Sequence, residues 1–360
     1  MENKEAIEKI KKEIELIENK ESNVYFFVID TKGNPSGNLE YIYKLALTLS
    51  NDGYNVSMLY QEEEFIGVGD WLGEKYASLP HKDIGNDEVS VSPSDILFIP
   101  ELFTNVMEQT KLLACKRIVI LQNFNFVLEQ TPISSQWGDY RIVDCISNTE
   151  HNKNLINSIF PYVKTTVINP YIDKMFGNTN EPKDLVVNIV AKNQSDINKI
   201  IKPFYWKYPM YKFISFRDLR GFPKETFAKC LREGAITIWV DDDTNFGYSL
   251  MESLQSGSIT IAKIPNTIQP WMINNETKAL TDACVWFSDY EILHKIIASV
   301  VRSYITDNVP TELQKSFDDV KNIFSEEKTS NEILTYVNEV LTNRKTELND
   351  LLTEVSKENK

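Results

Sequence analysis

The sequence has few of the residues that mark metal, redox or membrane proteins. Among 360 residues there are four cysteines and three histidines. The cysteines lie far apart and form no C-x-x-C pair, which argues against zinc and redox motifs and predicts reduced thiols in a protein core. No run approaches the ~20 apolar residues that cross a bilayer, and the first 20 residues lack the apolar stretch of a signal peptide. These absences predict a cytoplasmic protein without a transmembrane segment.

Acidic residues outnumber basic ones, and the formal net charge is −14. Such a charge argues against broad binding to nucleic acid or to anionic membranes. The charge is uneven, because residues 192–232 hold ten Lys or Arg against three Asp or Glu. This basic segment fits a local anion site and fits a solvated helix face equally well.

Short apolar runs alternate with helical segments, a pattern that predicts two β/α domains in series. The fold class is therefore α/β, with two Rossmann-like domains facing each other across a cleft. A helical tail follows from about residue 291. Strands are predicted at 24–29, 55–60, 95–99, 117–121, 140–147 and 165–168 in the first domain, and at 185–190, 211–216, 235–240 and 258–262 in the second.

The first helix and the tail lie outside this alternation. Ile7, Ile10, Ile14 and Ile17 form one stripe of a predicted amphipathic helix, which would pack on the first domain or on a partner subunit of a homodimer. The predicted parts are an N-terminal helix (1–20), a first domain (21–170), a second domain (171–325) and a helical tail (326–360).

The sharpest chemical pattern lies between Asp241 and Gly257. It follows a predicted strand and opens a short helix. Gly247 would let a ligand approach the backbone closely, and the amides of Gly247, Tyr248 and Ser249 at a helix N-terminus favour a phosphate. Glu252, one turn further on, could accept hydrogen bonds from ribose hydroxyls. The alternative is an ordinary junction of strand, turn and helix.

This segment resembles the donor-binding motif of glycosyltransferase family 4, which has the GT-B fold. In that motif an acidic residue, Gly-Phe-Gly, a short helix and a second Glu occur at fixed spacing. Phe246-Gly247 matches the Phe-Gly, and Glu252 matches the second Glu. The first Glu of the family, which lies against the donor sugar, falls on Thr244, so Asp243 is the candidate to substitute for it.

Other segments resemble the family in the same order along the chain. Ser36-Gly37-Asn38 stands where the family has a Gly-Gly loop facing the diphosphate and the acceptor. Lys192 matches a cation that holds the diphosphate, and Lys199 is the nearest candidate for a second one. Arg220-Gly221-Phe222 stands where the family's backbone contacts the nucleotide base. Gln122-Asn123 replaces a His near the reacting sugar, and both side chains can hydrogen-bond a sugar hydroxyl.

The resemblance implies a metal-independent, retaining glycosyltransferase that uses a nucleotide-diphosphate sugar as donor and needs no cofactor. The first domain would bind the acceptor and the second the donor. The candidates are Asp243, Thr244 and Lys192 for catalysis; Gly37, Lys192, Lys199, Arg220, Gly221, Phe222, Phe246, Gly247, Tyr248, Ser249 and Glu252 for the donor; and Asn38, Gln122 and Asn123 for the acceptor. No metal site is predicted, because Asp241-Asp242-Asp243 ends a strand inside the donor motif.

Several alternatives remain at this stage. The acceptor is a glycan, a lipid-linked oligosaccharide or a hydroxymethylated DNA base of the kind that phage glycosyltransferases modify. A protein that binds a nucleotide sugar without catalysis is the rival from another class, because the first motif Glu and the His are both replaced. A dinucleotide-binding oxidoreductase is disfavoured, since the loop with Gly33 and Gly37 lacks G-x-G-x-x-G spacing.

Overall fold

The computed structural model describes residues 2–179, 181–242, 246–274, 276–310 and 324–357. The chain divides into two compact units, Met1–Pro170 with Glu327–Lys360, and Tyr171–Glu326. Each unit has its own parallel sheet, which agrees with the predicted α/β class. All four cysteines are buried thiols, as predicted. Within the described ranges no helix is both long and apolar enough to cross a membrane.

The first unit is built on a seven-stranded sheet with the order β3-β2-β1-β4-β5-β6-β7. Its central strands are continuous apolar runs that are buried on both faces, as parallel strands covered by helices require. The strands are β1 (Asn23–Phe27), β2 (Asn55–Tyr60), β3 (His81–Asp83), β4 (Ile96–Pro100), β5 (Lys116–Leu121), β6 (Asp144–Ser147) and β7 (Lys164–Val167).

Helices connect these strands. Ser36 caps the longest of these connecting helices, Gly37–Asn51, because its Oγ accepts a hydrogen bond from the backbone amide of Leu39. The first helix packs on its own unit, because Ile17 is buried and the Glu13 carboxylate accepts the Ser94 amide and hydroxyl at 3.1 and 2.7 Å. The helices are α1 (Glu2–Glu18), α2 (Gly37–Asn51), α3 (Gly69–Leu72), α4 (Glu74–Ala77), α5 (Thr104–Gln109), α6 (Phe124–Gln130) and α7 (Glu150–Ile159).

The second unit has a five-stranded parallel sheet with the order β12-β11-β10-β8-β9. All seven residues of its central strand β10 are buried. The strands are β8 (Asp184–Ala191), β9 (Ser215–Asp218), β10 (Gly234–Val240), β11 (Ile259–Lys263) and β12 (Val285–Phe287), and the helices are α8 (Gln194–Lys207), α9 (Lys224–Glu233), α10 (Tyr248–Gln255) and α11 (Tyr290–Ile305).

The chain ends in a long helix, α12 (Glu326–Lys357), which belongs to the first unit. Ile333, Val337 and Leu341 form a buried stripe at four-residue spacing. Two hydrogen bonds from the Arg344 guanidinium hold it to the carbonyls of Pro93 and Ala114, each at 2.8 Å. The tail is therefore part of a folded unit.

The topology fixes where a ligand can bind. In the second sheet the strand order reverses between β8 and β10, and in the first between β1 and β4. Loops that leave neighbouring strands in opposite directions open a crevice at the carboxyl ends of the strands, and ligands of doubly wound sheets bind there. A ligand of the second unit would therefore meet the residues that follow β8 and β10, and a ligand of the first unit those that follow β1 and β4.

Candidate functional site

Two lysines and two aspartates meet at the reversal point of the second sheet. Lys192 follows β8, and its Nζ lies 2.8 Å from Oδ1 of Asp241, which follows β10. Lys263 ends β11, and its Nζ lies 2.6 Å from Oδ2 of Asp242. Sequence reasoning missed Lys263. The Asp241 and Asp242 carboxylates are thus paired with cations from both flanking strands, an arrangement that disfavours their use as a metal pair.

A third lysine, Lys199, lies at the same edge of the sheet, because it contacts the same tyrosine ring as Lys263. Lys199, on the first turns of α8, binds Asp196 at 3.1 Å, and Asp196 accepts the hydroxyl of Tyr290 at 3.0 Å. The Lys199 and Lys263 ammonium groups lie 4.9 and 5.1 Å from the centre of the Tyr290 ring. Burial raises the pKa of Tyr290, so this hydroxyl keeps its proton and donates to Asp196.

The helix α10 begins directly after Gly247, where the sequence predicts a short helix. Gly247 is the N-cap, with φ +83° and ψ 41°, a left-handed conformation that favours glycine. A Cβ at this position would lie 3.4 Å from both Trp271 and Met272, so apolar side chains cover that side of the turn. The Ser249 hydroxyl accepts the indole N–H of Trp239 at 2.9 Å. The phosphate role predicted for Ser249 falls to its backbone amide, and the hydroxyl still has its own proton to donate.

Glu252 is 3% exposed and forms an ion pair with Lys224, a residue that sequence reasoning missed. Lys224 opens α9 and lies 5.0 Å from the centre of the Phe176 ring. The sequence offered one signal for Lys224. It lies three residues after Gly221, in a segment whose loop is predicted to contact the nucleotide base. A ribose bound to Glu252 would share the carboxylate with this lysine.

The predicted base-contacting loop and Phe246 have different surroundings. Arg220 is exposed and binds Asp218, with Nε and Oδ2 3.0 Å apart. Gly221 has φ +70°, and the Phe222 side chain is half-buried. Phe246 is buried, and its ring packs against Tyr248 at 4.9 Å and Phe324 at 5.2 Å. The Phe246 side chain is thus part of the core beneath the turn.

Two candidate catalytic residues, Asp243 and Thr244, lie outside the described residues. Their predicted contact with the donor sugar stays a prediction. Asp242, the described residue that precedes them in the sequence, accepts the amide of Asn266 through its carbonyl at 3.0 Å.

In the first unit, the acceptor candidates follow β1 and β5. Gly37 and Asn38 are half-buried in the first turn of α2. Gln122 is buried, and Asn123 caps α6 by accepting the amide of Asn125 at 2.9 Å. The Asn123 side chain is therefore engaged in a helix cap.

Glu101 is a residue at this edge that sequence reasoning missed. It directly follows β4 and is 1% exposed, and its Oε1 accepts the amides of Gln122 and Asn123 at 3.1 and 2.7 Å. Burial raises the pKa of Glu101 to about 7, although those two amides oppose the shift. The sequence offered one signal for Glu101, namely an acidic residue directly after the apolar run 96–100.

A metal is not indicated by the described part of the chain. Within it, no group of three or more His, Cys, Asp or Glu side chains is placed to hold a metal ion.

Comparison with known proteins supports the class of enzyme that the sequence resembles. No family model matches the chain. An alpha-1,6-glucosyltransferase of Actinobacillus pleuropneumoniae serotype 7 (strain AP76) is 24% identical over 244 residues, which are 65% of this chain and 70% of that protein. A sucrose-phosphate synthase from Thermosynechococcus elongatus superposes with a TM-score of 0.61 at 10% identity, covering 89% of this chain and 100% of that one.

An alpha-glucosyltransferase in complex with UDP and a 13-mer DNA superposes with a TM-score of 0.55 at 9% identity, covering 89% of this chain and 99% of that one. These superpositions confirm the predicted GT-B fold. Together with the glucosyltransferase relative, they support the predicted class of enzyme, a glycosyltransferase.

Proposed function

We propose that the chain transfers a glucosyl group from a nucleoside diphosphate to a glycan hydroxyl, with retention of the anomeric configuration. The observation that carries the proposal is the reversal point of the second sheet, where Lys192 and Lys263 pair with Asp241 and Asp242 at the carboxyl ends of the strands, and α10 is the next helix along the chain. Such an edge suits a diphosphate, which is the charged part common to these donors.

The chemistry follows from where charge develops. As the bond between the sugar and the diphosphate breaks, the leaving group gains negative charge. Lys192, exposed at the sheet edge, would bind that charge directly, and the amides of α10 would stabilise it through the helix dipole. Asp241 and Asp242 already pair with lysines, so no metal is needed to neutralise them. The reaction is proposed to be metal-independent.

The remaining donor contacts are assigned by position. Glu252 would bind the ribose hydroxyls while its carboxylate stays paired with Lys224. The turn at Arg220-Gly221-Phe222, left-handed at Gly221, would present backbone groups to the base. Asp243 or Thr244 would contact the sugar, with Lys199 as a further cation of the edge.

Glucose and retention are proposed from the glucosyltransferase relative, whose name states an alpha linkage. The usual nucleotide donors of glucose carry it in the alpha configuration, so an alpha product would mean retention. A glycan acceptor is preferred to DNA because the chain is acidic overall. The structural neighbour with DNA keeps a modified DNA base as the second candidate acceptor. Gly37, Asn38, Gln122 and Asn123 would form the acceptor side.

The first test is donor binding. We expect one of UDP, GDP and ADP, together with its glucose ester, to raise the melting temperature of the full chain. Lys192→Gln should then weaken binding of that nucleotide about tenfold or more in calorimetry, because a hydrogen bond to a charged group is lost. Lys174→Gln, another exposed lysine of the same unit, is the matched control. If no nucleotide stabilises the chain, or if both variants bind like the native protein, the donor site is assigned wrongly.

The second test is turnover. Incubation of the chain with the glucose ester and an alpha-linked glucose oligosaccharide should release the nucleotide and give an alpha-linked product by NMR, with no loss of rate in EDTA. A beta-linked product would refute retention. Tight donor binding without release of sugar to the oligosaccharide, to DNA or to water would instead favour the sugar-binding protein, since Thr244 stands in place of the family's Glu.

A further inference from the structure

We propose that an exposed aromatic and basic surface of the second unit docks on an anionic lipid bilayer. This surface, here called the Trp206 surface, consists of Lys202, Trp206, Lys207, Met210, Lys212 and Phe213. It covers the last turns of α8 and the loop before β9. The proposal does not depend on the proposed transferase activity.

The apolar part of this surface is large for a chain in water. Trp206, Met210 and Phe213 are 78%, 65% and 66% exposed, and they fall within eight residues of one another. Single exposed apolar residues need no explanation, but several large ones together mark an interaction site.

A packed aromatic base holds these side chains outward. Phe204 is fully buried, and its ring stacks on Tyr211 at 5.9 Å with 9° between the planes. Tyr208 lies 5.9 Å from the same ring. Phe213 in turn contacts Tyr211 edge-on at 6.1 Å. Phe204, Tyr208 and Tyr211 therefore pack together on the inner side of this segment. The exposed side chains of Trp206, Met210 and Phe213 lie between or beside them in the sequence.

The charge of this segment is unlike that of the rest of the chain. Residues 197–217 contain five Lys or Arg and no Asp or Glu, although the chain has 52 acidic residues. Lys202, Lys207 and Lys212 are all exposed. On α11, which packs on α8, the charged side chains are Glu291, Lys295 and Arg302. The basic segment noted in the sequence is thus only partly explained by the donor site.

An anionic bilayer is the partner that uses both properties. Tryptophan prefers the boundary between headgroups and acyl chains, where Met210 and Phe213 would also be buried. The three lysines would lie at the level of the anionic headgroups, where each strengthens binding about fivefold. DNA would use the lysines but leave the apolar side chains in water. An apolar protein partner would leave the lysines without anions.

The experiment is co-sedimentation of the full chain with lipid vesicles. We expect binding to phosphatidylcholine vesicles that contain phosphatidylserine, and much weaker binding to pure phosphatidylcholine. The double variant Trp206→Ser/Phe213→Ser and the triple variant Lys202→Gln/Lys207→Gln/Lys212→Gln should each lower the partition coefficient at least about tenfold. The matched control is Leu112→Ser/Ile133→Ser, which removes two exposed apolar residues of the first unit and should change nothing.

Three results would overturn the proposal. One is no binding to the anionic vesicles, and another is equal loss in the control variant. The third is an oligomer that light scattering finds in the native chain and that Trp206→Ser/Phe213→Ser dissolves, because the surface would then bind a second copy. The nucleotide-dependent melting temperature of each variant is measured in parallel. This measurement tests the donor-site assignment separately from the membrane-docking proposal.

Discussion

The buried carboxyl of Glu101 makes a specific prediction about how stability depends on pH. Burial raises its pKa from 4.5 to about 7. Between these two values the native chain keeps a proton that the unfolded chain has released. The stability of the first unit therefore falls as the pH rises from about 4.5 to about 7, and stays low above that. A pKa difference of this size corresponds to about 3 kcal/mol.

Glu101→Gln removes the titration and keeps an acceptor for the amides of Gln122 and Asn123. We expect the variant to be more stable than the native chain by up to about 3 kcal/mol at pH 8. Well below pH 4.5 this difference should vanish, because the carboxyl of the native sequence is then neutral in both the folded and the unfolded state. The structure gives a further reason: no described side chain donates to Oε2 of Glu101 or to Oε1 of Gln122, and a Gln amide can supply a donor.

Hydrogen exchange of β5 in increasing urea, followed by mass spectrometry, gives the free energy of unfolding of the first unit separately from the second. Glu129→Gln, which changes an exposed carboxyl on α6, is the matched control and should reproduce the native profile. If Glu101→Gln parallels the native chain at every pH, the carboxyl is ionised in the native state and the reasoning from burial is wrong.

Two further predictions concern the second unit. Lys224→Met should lower its stability by about 3 kcal/mol in urea unfolding, because buried Glu252 loses its lysine, and Lys224→Met/Glu252→Met should recover most of the loss. A double variant as unstable as the single one would contradict this. Gly247→Ala should cost about 1–2 kcal/mol, because its left-handed backbone disfavours a Cβ, and should also weaken nucleotide binding. Gly53→Ala, left-handed in open space in the first unit, is its control: an equal loss of stability is expected there, with nucleotide affinity unchanged.

Several of the strands that sequence reasoning placed are buried on both faces. The apolar runs at 24–29, 95–99 and 235–240 correspond to β1, β4 and β10, since burial on both sides leaves a continuous signal. The strand β3 was missed because three residues, His-Lys-Asp, at the edge of the sheet carry no apolar pattern. The start of β9 was placed too early, at Tyr211 instead of Ser215, because Tyr211 and the apolar residues after it resemble a strand, although Tyr211 ends a 3₁₀ turn.

The residues of the candidate site also differ in how far the sequence predicts them. The helix that begins after Gly247 was predicted because its signal is local: an apolar strand, a turn with glycine and a helical pattern follow one another in the sequence. Glu101, Lys224 and Lys263 were missed because each takes its meaning from a partner that is distant in the sequence and adjacent only after the sheet forms. A pattern of spacing cannot supply such pairs.

The return of α12 to the first unit constrains how the chain is made. The first unit starts with the earliest residues, but its buried stripe at Ile333, Val337 and Leu341 comes from the end. During synthesis the second unit is complete before the first, although it begins later. Until α12 has left the ribosome, the nascent first sheet lacks that cover, and during this interval its exposed apolar surface is open to aggregation or to a chaperone.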